Sequence, residues 1–94
     1  MDDKIKWLNF CEQHILLTGR TEQDSFIWYV EPSEPFMTEF NICITTHYKQ
    51  VPKWLYIKCK NAPTFQTVDA AKNYCEHLQE LWVYREKNSY INSN

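Results

Sequence analysis

The predicted fold depends on the stretch Lys53-Trp54-Leu55-Tyr56-Ile57-Lys58-Cys59-Lys60. Successive side chains of a β-strand point to opposite faces, and in this stretch apolar residues alternate with aromatic or basic ones. The set that would face a core is Leu55, Ile57 and Cys59. The opposite set is Trp54, Tyr56, Lys58 and Lys60. We therefore predict a strand with one face buried and an aromatic, basic face available to a partner.

Two further strands are indicated by runs of aromatic and β-branched residues. The first covers residues 25–30, and the second lies within residues 36–48, where Phe40, Ile42 and Ile44 alternate with polar neighbours. Prolines at positions 32 and 35 separate the two runs. Together with residues 53–60, these segments predict a three-stranded antiparallel sheet.

Helices are predicted on either side of the sheet. Residues 3–17 place Ile5, Leu8 and Ile15 at helical spacing, and Gly19 follows as a stop signal. Thr67 is a good N-cap for the last helix, with Asp69 in its first turn. The chain is thus predicted to be an α+β domain of order α-β-β-β-α, with residues 1–87 forming one domain and residues 88–94 a polar tail.

The charge of the chain is unevenly distributed. Residues 1–39 hold eight acids and three bases, whereas residues 40–68 hold four lysines and no acid, in a chain of net charge −2. Lys49 and Lys53 therefore extend the predicted binding face of the third strand. A patch of this kind suits an acidic protein surface or a nucleic-acid strand stacked on the rings. The acidic whole and the absence of arginine from this strand favour a protein.

The acidic third of the chain is a second candidate surface. Its loop residues are Glu22, Asp24, Glu31, Glu34 and Glu39. One interpretation is a solubilising surface. The other is mimicry of nucleic-acid charge, which could occupy the basic groove of a nuclease or its complex.

Several classes of function are disfavoured by composition. A single glycine excludes Gly-rich phosphate loops, and no apolar run reaches the length of a membrane span. Residues 2 and 3 are acidic where a signal peptide is basic, which predicts a cytoplasmic protein. The four cysteines are far apart, as core thiols are, so we expect no metal site, no cofactor and no catalysis.

Three stretches resemble the double-stranded RNA-binding domain family. They are Leu8-Asn9-Phe10-Cys11, Trp28-Tyr29-Val30-Glu31-Pro32 and Thr67-Val68-Asp69-Ala70-Ala71-Lys72. In that family lysines after the hydroxyl residue grip phosphates, but here those positions are Val68 and Asp69. The resemblance therefore implies a divergent member used for dimerisation or weak RNA contact.

The segment from Phe65 to Lys72, after the predicted strands, also resembles small accessory proteins of phages and other mobile elements. Many of these, including anti-CRISPR proteins, are chains of this size that block a larger machine by binding it. This resemblance implies a non-catalytic inhibitor of a host defence complex. We take a binding protein with a protein partner as the leading hypothesis and the RNA-binding-type domain as the alternative, with a homodimer possible in either case. A third interpretation is that Trp54 and Tyr56 simply pack within the fold.

Overall fold

A computed structural model describes residues 3–11, 16–23, 25–33, 39–47 and 50–92. Its elements are β1 (Lys6–Cys11), β2 (Leu16–Arg20), β3 (Phe26–Pro32), β4 (Phe40–Thr46), α1 (Lys53–Lys60) and α2 (Val68–Asn92). The four strands form an antiparallel sheet in the order β1-β2-β3-β4, with each strand beside its neighbour in sequence. Both helices contribute to one core on a single face of the sheet. The chain is therefore α+β, as predicted. Its order is β-β-β-β-α-α instead of α-β-β-β-α, so it has four strands where three were predicted, and both helices follow the sheet.

The strands predicted over residues 25–30 and within residues 36–48 are confirmed as β3 and β4. Trp28 lies opposite Ile44 and Val30 opposite Ile42, and all four side chains are buried. The indole Nε1 of Trp28 donates a hydrogen bond of 3.2 Å to Oε1 of Gln79 on α2. This bond satisfies a polar group that lies within the apolar interface of sheet and helix.

The predicted N-terminal helix is wrong, because β1 and β2 occupy most of residues 3–17. Residues 12–15 of that prediction lie outside the described residues. Ile5 is buried and Trp7 packs against the core, whereas Lys4 and Lys6 are exposed. This is the two-residue period of a strand. The helical spacing of the apolar residues was therefore coincidental.

Gly19 is not a helix stop but a member of β2, directly opposite Trp7. A Cβ atom at this position would lie 2.7 Å from Cε3 of Trp7 and would also overlap the Ile5 side chain. Ordinary Cβ contacts are longer than 3.4 Å. Glycine is required here because the Trp7 ring lies against the backbone of the neighbouring strand.

The predicted third strand, residues 53–60, is also wrong, because this stretch forms helix α1. Its buried residues are Leu55 and Cys59, four apart, whereas Ile57 between them is exposed. The edge of β4 is paired instead with Phe65, through two backbone hydrogen bonds of 2.8 and 2.9 Å with Phe40. Pro52 directly precedes the helix, where proline's missing N–H costs nothing.

The last helix is confirmed, together with its predicted cap. The Ala70 N–H donates a hydrogen bond of 3.0 Å to Oγ1 of Thr67. Ala71, Cys75 and Leu78 are buried at helical spacing. The helix continues to Asn92, so its 25 residues span about 37 Å and include residues 88–92 of the predicted tail.

Candidate functional site

Helix α1 presents an exposed face that mixes apolar and basic residues. Positions i, i+3, i+4 and i+7 of a helix lie on one side. On α1 these positions are Lys53, Tyr56, Ile57 and Lys60, and we refer to them as the α1 stripe. Tyr56 is 50% and Ile57 42% exposed. Both apolar side chains are therefore available to a partner, and a lysine lies at each end of the stripe.

The helical conformation divides the predicted binding residues into two groups. Lys53, Tyr56 and Lys60 lie together on the α1 stripe. Trp54 and Lys58 are one helical turn apart on a different side of α1. Each is two positions from Tyr56, and side chains two positions apart on a helix are rotated by about 200° from each other. Lys49 lies outside the described residues. The binding roles of all six residues remain predictions.

Trp54 is partly buried between the two helices. Its ring centroid lies 6.3 Å from that of Trp82, and the ring packs against the core. The guanidinium carbon of Arg85 lies 4.1 Å from the Trp54 ring centroid on the outer side of this contact. Trp54 thus joins α1 to α2 and, unlike Tyr56, is not a freely exposed ring.

Sequence reasoning missed Arg85. Its contact with Trp54 joins residues on different helices, so no local pattern around residues 53–60 could reveal it. One signal was present on α2, where Trp82 and Arg85 are three residues apart and so lie on one side of the helix. The fold brings that side against Trp54.

The charge of α1 is not compensated by any of the described residues. The helix contains three lysines and no acidic residue. Within the described part of the chain, Lys53, Lys58, Lys60 and Arg85 form no ion pair. The surface around the α1 stripe is therefore basic, although the chain as a whole is acidic.

The predicted acidic surface is not assembled in one place by the described residues. Glu22 lies in the connection between β2 and β3 and pairs with Lys6 at 2.9 Å. Glu31 and Glu39 lie at the opposite end of β3, where the Ser33 N–H donates to the Glu39 carbonyl. Asp24 and Glu34 lie outside the described residues. Mimicry of nucleic-acid charge remains a prediction, and the described acids do not by themselves form a continuous patch.

Two other surfaces differ in character from the α1 stripe. A cleft of about 550 Å³ separates α2 from residues 3–5 and is lined by residues that include Glu76, Glu80 and Tyr84. Gln79, which also lines it, is already engaged by Trp28 and by the Asp3 carbonyl. The sheet face opposite the helices carries Leu8, which is half exposed. Neither surface combines exposed apolar side chains with an uncompensated charge of one sign.

The described thiols have no feature of a nucleophile. Burial raises the pKa of Cys59 to about 12, with Cys43 contributing, and burial raises the pKa of Cys75 further. Desolvation and the Glu31 carboxylate raise the pKa of Cys43. A raised pKa lowers the fraction of reactive thiolate at neutral pH, so none of these thiols is activated. No group of three or more His, Cys, Asp or Glu residues suited to a metal ion occurs among the residues that the structure describes.

We expect iodoacetamide at neutral pH to modify Cys43 at least about tenfold faster than Cys59 or Cys75, because Cys43 is exposed and the other two are buried. Alkylation of the two buried thiols should require opening of the fold and accelerate with urea. Peptide mass spectrometry against time measures each site separately. Fast modification of Cys59 or Cys75 without denaturant would reveal an accessible, activated thiol and contradict this account.

No protein-family model matches the chain, and no curated protein or solved structure matches it either. In the part of the chain that the structure describes, no helix is both long and apolar enough to cross a membrane. The function is therefore inferred from the residues of the chain itself.

Proposed function

We propose that the chain is a non-catalytic binding protein whose α1 stripe contacts an acidic surface of a protein partner. The observation that carries this proposal is the exposure of Tyr56 and Ile57 on a helix that bears three lysines and no acid. Its action would be to occupy the partner, and so to inhibit it or to assemble with it.

The apolar residues of the α1 stripe would contribute to the affinity for a partner. Exposed apolar side chains rimmed by charge are a common feature of protein interaction sites. Tyrosine is among the residue types that contribute most to interface affinity. Burial of Tyr56 and Ile57 would remove their exposed apolar surface from water, which is favourable.

The lysines of the α1 stripe would favour an acidic partner. Lys53 and Lys60 at the two ends of the stripe would steer an acidic surface onto the apolar residues between them. Ile57 points almost directly away from the core and can neither hydrogen-bond nor stack on a base. An aliphatic side chain at this central position suits a protein surface better than a nucleic-acid backbone.

The most specific form of the proposal is an inhibitor encoded by a mobile element, which would occupy a host defence complex as anti-CRISPR proteins do. Its support is the resemblance of residues 65–72. The proposal that α1 binds a protein does not depend on this more specific form.

The test is capture of a partner from an extract of the source organism, followed by quantitative mass spectrometry. We expect the variant Tyr56→Ala with Ile57→Ser to lose the partner at least about tenfold, since truncation of a hot-spot residue costs about 2 kcal/mol or more. Its thermal midpoint should stay close to that of the wild type, because both side chains are exposed.

Asn73→Ala, an exposed position on α2, is the matched control and should leave capture unchanged. Capture that is equal in both variants would overturn the proposal. Recovery of nucleic acid alone would place the partner in a different class. If the only captured partner is a second copy of the chain, self-association replaces the proposed function.

A further inference from the structure

Arg85 is an exposed arginine with a fixed platform. Its guanidinium carbon lies 4.1 Å from the Trp54 ring centroid, within the range of cation–π stacking. The Trp54 ring is itself held by the core and by Trp82. The position of the guanidinium is therefore set before any partner arrives, which reduces the entropy lost on binding.

Stacking on the Trp54 ring does not itself occupy the hydrogen-bonding groups of Arg85. The ring contacts the face of a guanidinium, whereas its N–H groups lie in the plane and form a fork that fits a carboxylate or a phosphate. No carboxylate in the described part of the chain forms an ion pair with Arg85. This charged fork is thus held in place by the Trp54 ring, and none of the described carboxylates pairs with it.

Arg85 lies at the border of the α1 stripe. Ile57 follows Trp54 by three residues, so the two side chains are neighbours on the surface of α1. Lys58 follows Trp54 by four residues and adds a second cation on the same side. A protein segment that covers Ile57 would therefore bring its own side chains within reach of Arg85.

We propose that Arg85, positioned by Trp54, is the specificity-determining contact of this surface and that it receives a carboxylate side chain from an acidic segment of the partner. This inference rests on the proposed function of the α1 stripe. Arg85 selects an aspartate or glutamate at one position, whereas the lysines of the stripe attract negative charge in general. A phosphate would fit the same fork, but Ile57 beside it favours a protein ligand over a nucleic acid.

The probe for this inference is a fluorescein-labelled amphipathic peptide of about 20 residues built from glutamate, leucine and alanine, long enough to form a helix. A second peptide has glutamine at every glutamate position. An RNA duplex of about 16 base pairs serves as the phosphate probe. Fluorescence anisotropy at low ionic strength measures the affinity of each probe for the full chain.

We expect the wild type to bind the glutamate peptide at least about tenfold more tightly than the glutamine peptide and more tightly than the RNA duplex. Arg85→Lys keeps the charge but removes the planar fork, and it should reduce this preference about fivefold to tenfold. Arg20→Lys changes the other arginine of the chain, on β2, and is the matched control, which should preserve the preference.

A double-mutant cycle separates the positioning role of Trp54 from its structural role. Trp54→Phe should weaken peptide binding when Arg85 is present but have little further effect in the Arg85→Gln variant. A loss caused by general destabilisation would be the same in both backgrounds. Thermal midpoints of all variants, measured in parallel, identify any variant that is not folded. If the Trp54 variant is not folded, Arg85→Lys alone tests the inference.

An unchanged preference in Arg85→Lys overturns this inference. If Tyr56→Ala with Ile57→Ser still abolishes peptide binding in that case, the proposed function of the α1 stripe stands without it. Peptide binding that neither variant weakens contradicts both proposals. Tighter binding of the RNA duplex, lost in Arg85→Lys, would assign Arg85 to phosphate and also overturn the inference.

Discussion

Replacement of Trp28 by alanine is expected to lower the free energy of unfolding by about 3–5 kcal/mol, the usual effect of removing a large buried aromatic side chain. Trp28 is fully buried on β3, beneath α2, and lies opposite Ile44 of β4. Its loss would leave a cavity and would also remove the hydrogen bond that the indole donates to Oε1 of the buried Gln79. Urea unfolding followed by far-ultraviolet circular dichroism measures the change.

Two comparisons make the Trp28 result specific. Trp28→Phe fills most of the cavity but removes the hydrogen bond, so it should cost less than alanine, about 1–3 kcal/mol. Ile57→Ala, on the exposed α1 stripe, should change stability by about 0.5 kcal/mol or less. A loss at Trp28 no larger than that at Ile57 would contradict the placement of the sheet against α2.

The second large effect is expected on binding. Lys53→Glu with Lys60→Glu should weaken partner binding more than about 100-fold, because two attractive charges become repulsive at both ends of the α1 stripe. Both lysines are exposed and form no ion pair within the described residues, so the fold should tolerate the change. Lys4→Glu with Lys6→Glu alters the net charge by the same amount at the start of the chain and is the control, although Lys6, unlike Lys53 and Lys60, pairs with an acid, Glu22.

Each element that was predicted correctly has apolar residues at the spacing of one type of element, either a strand or a helix. In β4 the buried residues alternate strictly, and in β3 Phe26, Trp28 and Val30 keep the two-residue spacing although Ile27 is buried as well. In α2 the Thr67 cap and the spacing of Ala71 and Cys75 agree. Residues 53–60 fit two periods, because Leu55 and Cys59 are buried in a helix and would share a face in a strand as well. Tertiary packing decides such a segment.

The candidate site was predictable in composition but not in arrangement. The exposed tyrosine and lysines of α1 were identified from their residue types and from the local excess of positive charge. Their grouping changed because a helix separates Trp54 from Tyr56 and joins Tyr56 to Ile57. Arg85 depended on a contact between two helices, which is set by the fold as a whole.

The most direct test of the α1 stripe is the affinity of the captured partner for the wild type and for Lys53→Glu with Lys60→Glu, measured at low and at moderate salt. We expect the wild-type affinity to fall with salt and the charge-reversed variant to bind weakly at every salt concentration, while Lys4→Glu with Lys6→Glu binds nearly as the wild type does. Equal binding by the two double variants would show that the partner uses another surface and would contradict the assignment of the α1 stripe.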